Sequence, residues 1–584
     1  NSFKQNEINE FSNIVLEILL DGLVDLDIEE FKNSNISKKE IRLLYRWVFY
    51  LSINSFTERL LRTICNKNIE KKLDLNLITL KSIPFSNILT TTLNFYNDMK
   101  FNNNLLSNLN LIIHNYKDDL RIEEDKKSFN PRILTFKQRI KNSKIFFKFF
   151  LKLFFYKFFF KSKDLHENND QLNLIFPKKN SFINYPFNES YKLSLNSRNK
   201  IEKLAKKIFI KEYSYFLDNK NNQQIEKISK LFTNWINLSI PFSLLEGLNK
   251  RFKFYNNLLK HIKIQQFHAS VGFFTNENVQ IFSILANRKK ILVIGHEHGV
   301  NNFITLGKND YMSHYKGMNH FLFSNFFLSW GNNTVSDKWI NAKKLNVKVF
   351  EFGSVYLKTI KDTYEKKDLK FVNKLKDNNI IFYCASQLRK HMTNLEELSP
   401  EQNFFHKKKV ANFLKRLIEK NKNIKIIYKA FPENINNEED PFKIIFSNEI
   451  KKNIITVSKE SSIKLMHFAD IVLFDLISTG FAEAINMNKV SIVFSNKFEF
   501  DRSSKEGKEI NKRLYDSGIF FDNEMDGLQI IKNIIYSRDN FIKVTEQSLN
   551  EFKNKLCYPI SKKEFLIKYN KFLDELKTNY KLQH

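Results

Sequence analysis

Histidine and glycine are both scarce in this chain, and both gather in one window. Five of the 12 histidines (His268, His296, His298, His314, His320) fall between positions 268 and 320, and six of the 13 glycines (Gly295, Gly299, Gly307, Gly317, Gly331, Gly353) between positions 295 and 353. Imidazoles titrate near neutral pH and can move protons. Glycine lets a backbone approach its surroundings closely. The centre of the window is Ile291–Asn302, ILVIGHEHGVNN, where an apolar run passes straight into Gly295-His296-Glu297-His298-Gly299. If that run is a strand of an open α/β sheet, His296 and His298 stand at its carboxyl end, where such sheets bind ligands. Either could take a proton from an attacking hydroxyl, and the sequence leaves the choice open. The plainer alternative is two histidines that cap a strand end. Zinc is a rival, since two imidazoles and Glu297 are ligand types. However, His-x-His on a loop is not the His-Glu-x-x-His helix of metalloproteases and no third ligand is marked, so no metal is expected. His268 follows a short alternating stretch, Ile262–Phe267 (IKIQQF), and could face the same cleft.

A second constellation lies further on. The apolar run Ile471–Asp475 leads into Leu476–Ala484, LISTGFAEA, and a further apolar run Val490–Ser495 follows. Ser478-Thr479-Gly480 would open a helix whose free backbone N–H groups suit a phosphate. Glu483, one turn in, could accept hydrogen bonds from ribose hydroxyls; the plainer alternative is an ordinary cap with an acidic first turn. In Ile424–Asn434, IKIIYKAFPEN, Lys429 ends a strand before Pro432 and could neutralise a diphosphate, or could be a solvated strand-end lysine. Ser386, Gln387 and Arg389 follow the run Ile380–Cys384 and could line the same cleft, or could equally be ordinary polar loop residues. No P-loop and no Gly-x-Gly-x-x-Gly occurs. Asp25-Leu26-Asp27 has the form used by metal-dependent transferases, but it lies in a helical region and reads as surface charge.

These groups need a scaffold of alternating strands and helices. Strand candidates are Ile291–Gly295, Val347–Phe352, Ile380–Cys384, Ile424–Lys429, Ile454–Val457, Ile471–Asp475 and Val490–Ser495, with helical stretches such as Lys407–Lys420 and Ile463–Ala469 between them. Such alternation predicts parallel sheets covered by helices, with enough units for two and a boundary near Leu357–Leu369. The expected α/β organisation is a helical region at 1–130, a basic and aromatic segment at 131–190, a first Rossmann-like lobe at 191–356 on the acceptor side, a second at 370–545 on the nucleotide-donor side, and a C-terminal helix at 546–584. Ile41–Cys65 carries helical spacing without Gly or Pro. No internal repeat stands out.

Composition narrows the class. The chain has 584 residues, 42% hydrophobic and 27% charged, the balance of a globular protein able to bury large cores. Its net charge is +31, from 94 Lys and Arg against 63 Asp and Glu. A charge of that size attracts polyanions. The lysines are scattered rather than blocked, and Lys, Asn, Ile and Phe are over-used together, as an A/T-rich coding sequence would produce. Nucleic acid is therefore not an expected partner, and no helix-turn-helix or other nucleic-acid signature appears. Cys65, Cys384 and Cys557 lie far apart and form neither a metal nor a disulfide pattern, which points to a reducing compartment. No signal peptide opens the chain and no run of about 18 apolar residues occurs, so the expected location is the cytoplasm. Lys144–Lys163, KIFFKFFLKLFFYKFFFKSK, is either a helix lying on the inner face of a membrane with its lysines at the headgroups, or a core helix or hinge with snorkelling lysines.

Four elements occur in a telling order: GHEHG (295–299), Ser329-Trp330-Gly331, Lys429-x-Phe431-Pro432 and Asp475-x-x-Ser478-Thr479-x-x-x-Glu483-Ala484. In this order they resemble a family of sugar transferases of bacterial surface-carbohydrate biosynthesis, related distantly to the CDP-glycerol glycerophosphotransferases and the capsule Kdo transferases. The resemblance covers roughly residues 260 to 500. It implies a GT-B-like fold, two Rossmann-like lobes with a cleft between them. It further implies His298 as acceptor-side base or contact, Lys429 on donor phosphate, and Ser478, Thr479, Gly480 and Glu483 on the donor nucleotide, with Ser386 and Arg389 beside them. His268, Glu297 and Gly299 fall on the acceptor side. Two departures stand out. Phe431-Pro432 replaces the His-Pro of the glycerophosphotransferases, which speaks against glycerol-phosphate transfer. His296-Glu297 stands where relatives carry other residues, which keeps His296 beside His298 as a catalytic candidate.

The expected activity is metal-independent glycosyl transfer from a nucleotide-sugar, with no further cofactor, to a hydroxyl of a cell-surface glycan or lipid-linked acceptor. The alternatives are a CDP-polyol-type polyol-phosphate transferase, and a non-catalytic polyanion- or membrane-binding protein.

Overall fold

The computed structural model describes residues 5–73, 109, 164–178, 181, 193–217, 222–299, 321–331, 347–363, 379–388, 400–431, 440–451, 455–496 and 505–580. The Phe/Lys segment at 144–163, Arg389, His314 and His320 lie outside them. No helix among the described residues is long and apolar enough to cross a membrane.

Two parallel sheets organise the chain. The first has five strands in sequence order: β1 (Asp164–His166), β2 (Gln266–Ala269), β3 (Leu292–His296), β4 (Phe326–Ser329) and β5 (Lys348–Glu351). The second has β6 (Asn379–Cys384), β7 (Ile424–Lys429), β8 (Ile455–Val457), β9 (Ile471–Phe474), β10 (Val490–Phe494) and β11 (Phe520–Phe521), in the spatial order β11-β10-β9-β6-β7-β8. All its pairs are parallel. From β6 the chain adds β7 and β8 on one side, then returns to add β9, β10 and β11 on the other. The loops leaving β6 and β9 therefore diverge, the topology of a switch point.

Both sheets are covered on both faces, because apolar residues occupy both sides of the pleat. In the second sheet, Ile380, Phe382, Val472 and Phe474 face one core and Ile381, Tyr383, Ile471 and Leu473 the other. The first core lies under α8 (Val355–Thr363), α10 (Ser462–Phe468), α11 (Thr479–Asn486), α12 (Lys505–Asp516) and α14 (Arg538–Leu556); the second lies under α9 (Pro400–Lys420) and α13 (Glu524–Tyr536). One face of the first sheet, including Phe267 and Val293, packs on a helical layer. That layer comprises α1 (Gln5–Val24), α2 (Lys38–Leu73), α4 (Leu195–Glu212), α5 (Asn222–Ser239), α6 (Leu248–His261) and α7 (Glu277–Arg288). Its opposite face, with Ile294, Phe326 and Leu328, is covered by α3 (Asp170–Ile175) and α15 (Lys562–Tyr580).

The route to α15 ties the lobes together. After α14 on the second lobe, Cys557–Ile560 crosses back: the Tyr558 N–H donates to Trp330 O (2.9 Å), Ser354 N–H to Tyr558 O (2.7 Å) and Ile560 N–H to Ser354 O (3.2 Å). The crossing needs two glycines. A Cβ on Gly331 would sit 2.0 Å from the Lys555 carbonyl oxygen, and Gly353 has φ +92° against the Tyr558 carbonyl. Phe565, Tyr569 and Phe572 of α15 then seal the first sheet.

The parallel two-sheet, GT-B-like architecture is the one the sequence implies, and several details differ. His268 lies within β2 rather than after it. β1 falls inside the stretch assigned to the basic and aromatic segment. β4 and β11 were not among the strand candidates, since Phe-rich runs of two to four residues carry no resolvable period. The stretch 546–584 divides: its first part completes a second-lobe helix and its second part belongs with the first sheet. Asp25 and Asp27 form surface ion pairs with Lys38 (2.6 Å) and Lys32 (2.5 Å).

Candidate active site between the two lobes

Strand period and register assemble the first half of the site. Side chains alternate faces along a strand, and β1, β2 and β3 pair His166 with His268 and His268 with Ile294. Leu165, Phe267 and Val293 turn to the helical core. Asp164, His166, His268 and His296 thus share the opposite face, beneath Tyr569 and Phe176. His268 Nδ1 lies 2.9 Å from His296 Nε2, and His268 Nε2 lies 2.9 Å from the Tyr569 hydroxyl and 3.5 Å from Asp164 Oδ1. Burial pushes the His268 pKa down, opposed by Asp164. Burial, aided by His268 and His166, pushes that of His296 well down. Both rings are therefore neutral at neutral pH. Burial raises Asp164, but the hydrogen bonds of His268 and the Tyr569 hydroxyl help to outweigh it, and the carboxyl stays below its ordinary value.

The loop after β3 forms the rim. Glu297 is 2% exposed. Its Oε2 accepts the Trp330 N–H at 2.6 Å, while the buried Oε1 has no hydrogen-bond partner among the described residues. Burial pushes this carboxyl up to about 8, against the pull of the Trp330 N–H. The His298 carbonyl accepts from Gln171 Nε2 (3.2 Å). A small cleft lies here, with Gln171, His296, Glu297, Trp330, Ser354 and Tyr356 among its walls.

The second half sits at the β6/β9 switch point. Asp475 accepts from Tyr383 Oη (2.8 Å), Lys407 Nζ (2.7 Å) and the Ser386 N–H (2.9 Å), and its carbonyl meets His406 Nε2 at 3.0 Å. Burial raises Asp475, but the Lys407 and His406 charges and these hydrogen bonds prevail and lower its pKa. Lys407 also donates to the Ser386 carbonyl (2.7 Å), so one buried ion pair locks both switch-point loops. Ser478 is the N-cap residue of α11, with extended backbone and no capping bond from its side chain. Gly480 follows it and packs against Phe474. Glu483 is nearly buried and accepts a 2.6 Å hydrogen bond from the Tyr356 hydroxyl. Burial pushes Glu483 up to about 7, opposed by Tyr356. Burial and the neighbouring Glu483 push the Cys384 thiol up to about 12, with Lys429 close enough to oppose them. Lys429 Nζ donates to the Glu460 carbonyl.

The two halves touch. A Cβ on Gly299 would sit 2.5 Å from Thr479 Oγ1, so the β3 loop runs directly over the N-terminus of α11. Gly299 and Thr479 are thus in direct contact across the lobes, and Tyr356 reaches Glu483 beside them, while His296 and Glu297 line the first-lobe cleft. Ser386, Lys429 and Cys384 lie at neighbouring strand ends of the second sheet. His268 lies one layer deeper, behind His296. Sequence inspection did not single out Asp164, Tyr569, Tyr356, His406 or Lys407. The one available hint was Asp475, a carboxylate at a buried strand end, which requires a cation. Among the described residues no group of three or more His, Cys, Asp or Glu could hold a metal ion.

Two parallel-sheet lobes joined across strand ends, with the loop after β3 against the N-terminus of α11, define a two-lobed α/β protein. The chain belongs to the LIC12162 family transferases, whose family model matches residues 41–539. No curated protein matches it. Similar solved structures include a UDP-GlcNAc 2-epimerase from Neisseria meningitidis bound to UDP-GlcNAc, at 12% identity and TM-score 0.36, covering 56% of this chain and 81% of that one. Another is an α,α-trehalose 6-phosphate synthase from Burkholderia multivorans, at 9% identity and TM-score 0.34, covering 58% and 76%. Likenesses this remote say nothing about the substrate of this chain.

Proposed function

We propose that this transferase is a glycosyltransferase that moves a sugar from a nucleotide-sugar to a hydroxyl of a surface-glycan or lipid-linked acceptor. One observation carries the proposal: the contact of Gly299 with Thr479, which brings the His296-Glu297-His298 rim against the N-terminus of α11. Free N–H groups at such an end favour an anion, and an imidazole on the adjoining strand end or loop suits deprotonation of an acceptor hydroxyl. In this scheme Ser386, Lys429 and the Ser478-Thr479-Gly480 turn hold the departing nucleotide phosphate, joined by Arg389. Glu483 takes the nucleoside side, and His296 or His298 serves as base with Glu297 and Gly299 shaping the acceptor seat. Catalysis is then positioning plus electrostatic stabilisation of the leaving group, with no metal or cofactor invoked. Segment 144–163 would keep the enzyme at the inner membrane face, near a lipid-linked acceptor.

The test is a thermal-shift panel of CMP, CDP, UDP, GDP and their sugar conjugates. A ligand at a hundred times its Kd stabilises the native state by about 2.7 kcal/mol, so one nucleotide series should raise the midpoint. The rise should shrink in Thr479→Ala and Lys429→Ala. A panel in which no nucleotide moves the midpoint sinks the proposal.

A further inference from the structure

Four polar side chains from four elements meet under α15: Asp164 of β1, His268 of β2, His296 of β3 and Tyr569 of α15 itself. Counting protons gives each bond its direction. An ionised carboxylate only accepts. The Tyr569 hydroxyl, 3.1 Å from Asp164 Oδ1, spends its one proton there. Its oxygen is left to accept from His268 Nε2 at 2.9 Å. A neutral imidazole has one donor and one acceptor nitrogen, so His268, protonated on Nε2, presents a bare Nδ1 to His296. The 2.9 Å bond between the rings must then be donated by His296 Nε2. That leaves His296 Nδ1 with its lone pair, on a ring that lines the small first-lobe cleft beside Gln171, Glu297, Trp330 and Tyr356. His166 does not compete for this chain, because its nitrogens lie against the carbonyls of Glu167 (2.8 Å) and Pro177 (3.1 Å).

We propose that Asp164, Tyr569 and His268 are positioning residues that fix the tautomer of His296, and that His296 Nδ1 is the base for the acceptor hydroxyl. The catalytic half rests on the glycosyl-transfer proposal above; the tautomer half does not. In the step, the acceptor oxygen bonds to the anomeric carbon and its proton passes to His296 Nδ1. The bond from that carbon to the nucleotide phosphate oxygen breaks, and its electron pair leaves with the phosphate. The imidazolium so formed is stabilised through His268 and Tyr569 by the Asp164 anion, a conducted effect that a polarised hydrogen-bond chain supports.

The experiment uses the full chain labelled with ¹⁵N-histidine, the His296 and His268 signals being identified by their loss in His296→Gln and His268→Gln. Long-range ¹H–¹⁵N correlation at neutral pH reads which ring nitrogen carries the proton. The expected result is Nε2–H on both rings. Asp164→Asn exchanges an acceptor for a donor: the amide donates to Tyr569, the Tyr569 proton turns to His268 Nε2, and both rings move their proton to Nδ1. Tyr569→Phe leaves only the 3.5 Å approach of Asp164 Oδ1 to hold the proton on His268 Nε2, so both rings should stay mainly Nε2–H with a minor Nδ1–H population. A wild-type His296 protonated on Nδ1 overturns the inference, as does an unchanged His296 in folded Asp164→Asn. The wild-type spectrum decides even where neither variant folds. Once a donor is found, Asp164→Asn should lower kcat at least about tenfold with KM nearly unchanged, the pattern of a lost transition-state interaction. Unchanged kcat with the tautomers as expected removes the catalytic half. A silent nucleotide panel with the tautomers as expected would instead sink glycosyl transfer and leave the relay standing.

Discussion

The Tyr356 hydroxyl donates a 2.6 Å hydrogen bond to Glu483 Oε1, joining the residues that follow the last strand of the first sheet to a helix of the second lobe. The Tyr356 ring also stacks on Trp330, with centroids 6.4 Å apart and planes at 24°. Trp330 in turn gives its N–H to Glu297. The two buried carboxyls that border the junction, Glu297 and Glu483, are thus linked through two aromatic residues.

Removing that link should be felt in both lobes. Tyr356→Phe keeps the ring and leaves a buried carboxyl oxygen without its donor, which costs about 1–3 kcal/mol. Denaturant unfolding should show that loss. The pKa of Glu483, already near 7 through burial, should rise further because Tyr356 opposes the shift. An unchanged unfolding midpoint would mean the bond contributes nothing.

Glu297 should make stability fall as pH rises. Its folded pKa of about 8 lies above the ordinary carboxyl value of 4.5. Between those values the folded state holds a proton the unfolded state has lost, so the stabilisation present below 4.5 is lost as pH climbs through 8, by a few kcal/mol in all. Glu297→Gln keeps the shape and removes the titration. Thermal midpoints measured from pH 5 to pH 9 should decline less steeply in the variant, and parallel curves would contradict the prediction.

The lobe contact should be sterically tight. Gly299→Ala places a methyl 2.5 Å from Thr479 Oγ1, and overpacking of this kind costs about 1–3 kcal/mol. We expect a lower denaturation midpoint of the free protein, with partial recovery in the double variant Gly299→Ala/Thr479→Ala. Additive effects of the two substitutions would show that the residues do not communicate.

Lys407→Met should be the most damaging of the four. It strands Asp475, a carboxylate 2% exposed, and uncompensated buried charge costs about 3–5 kcal/mol. Lys407→Met/Asp475→Leu should recover much of the loss in chemical denaturation. A double variant no better than the single would point to packing rather than charge.

Much of the second-lobe site can be read from residues 471–484 alone. An apolar run, a Ser-Thr-Gly turn and an amphipathic helix carry their own local instructions, and the strand, cap and helix form where those instructions place them. The same holds for the apolar run entering Gly295-His296-Glu297-His298-Gly299. Glu483 is the instructive exception. A carboxylate one turn into a short helix reads as solvated, and it is buried only because Tyr356 and the crossing segment close over it. His268 was misplaced by one register step because a four-residue strand among phenylalanines offers too few positions to define a period.

Sequence by itself determined which segments become strands and helices, that the sheets are parallel, and which turns could receive an anion. Those properties follow from side-chain period, glycine placement and capping, all decided within about a dozen residues. Only tertiary structure decided which groups confront one another. Asp164 and Tyr569 lie 405 positions apart and meet because α15 returns to the first sheet. His268 and His296 become partners through strand register, and Gly299 meets Thr479 through lobe docking. Such contacts arise from packing two hydrophobic cores against each other, and no local stretch of chain carries that information.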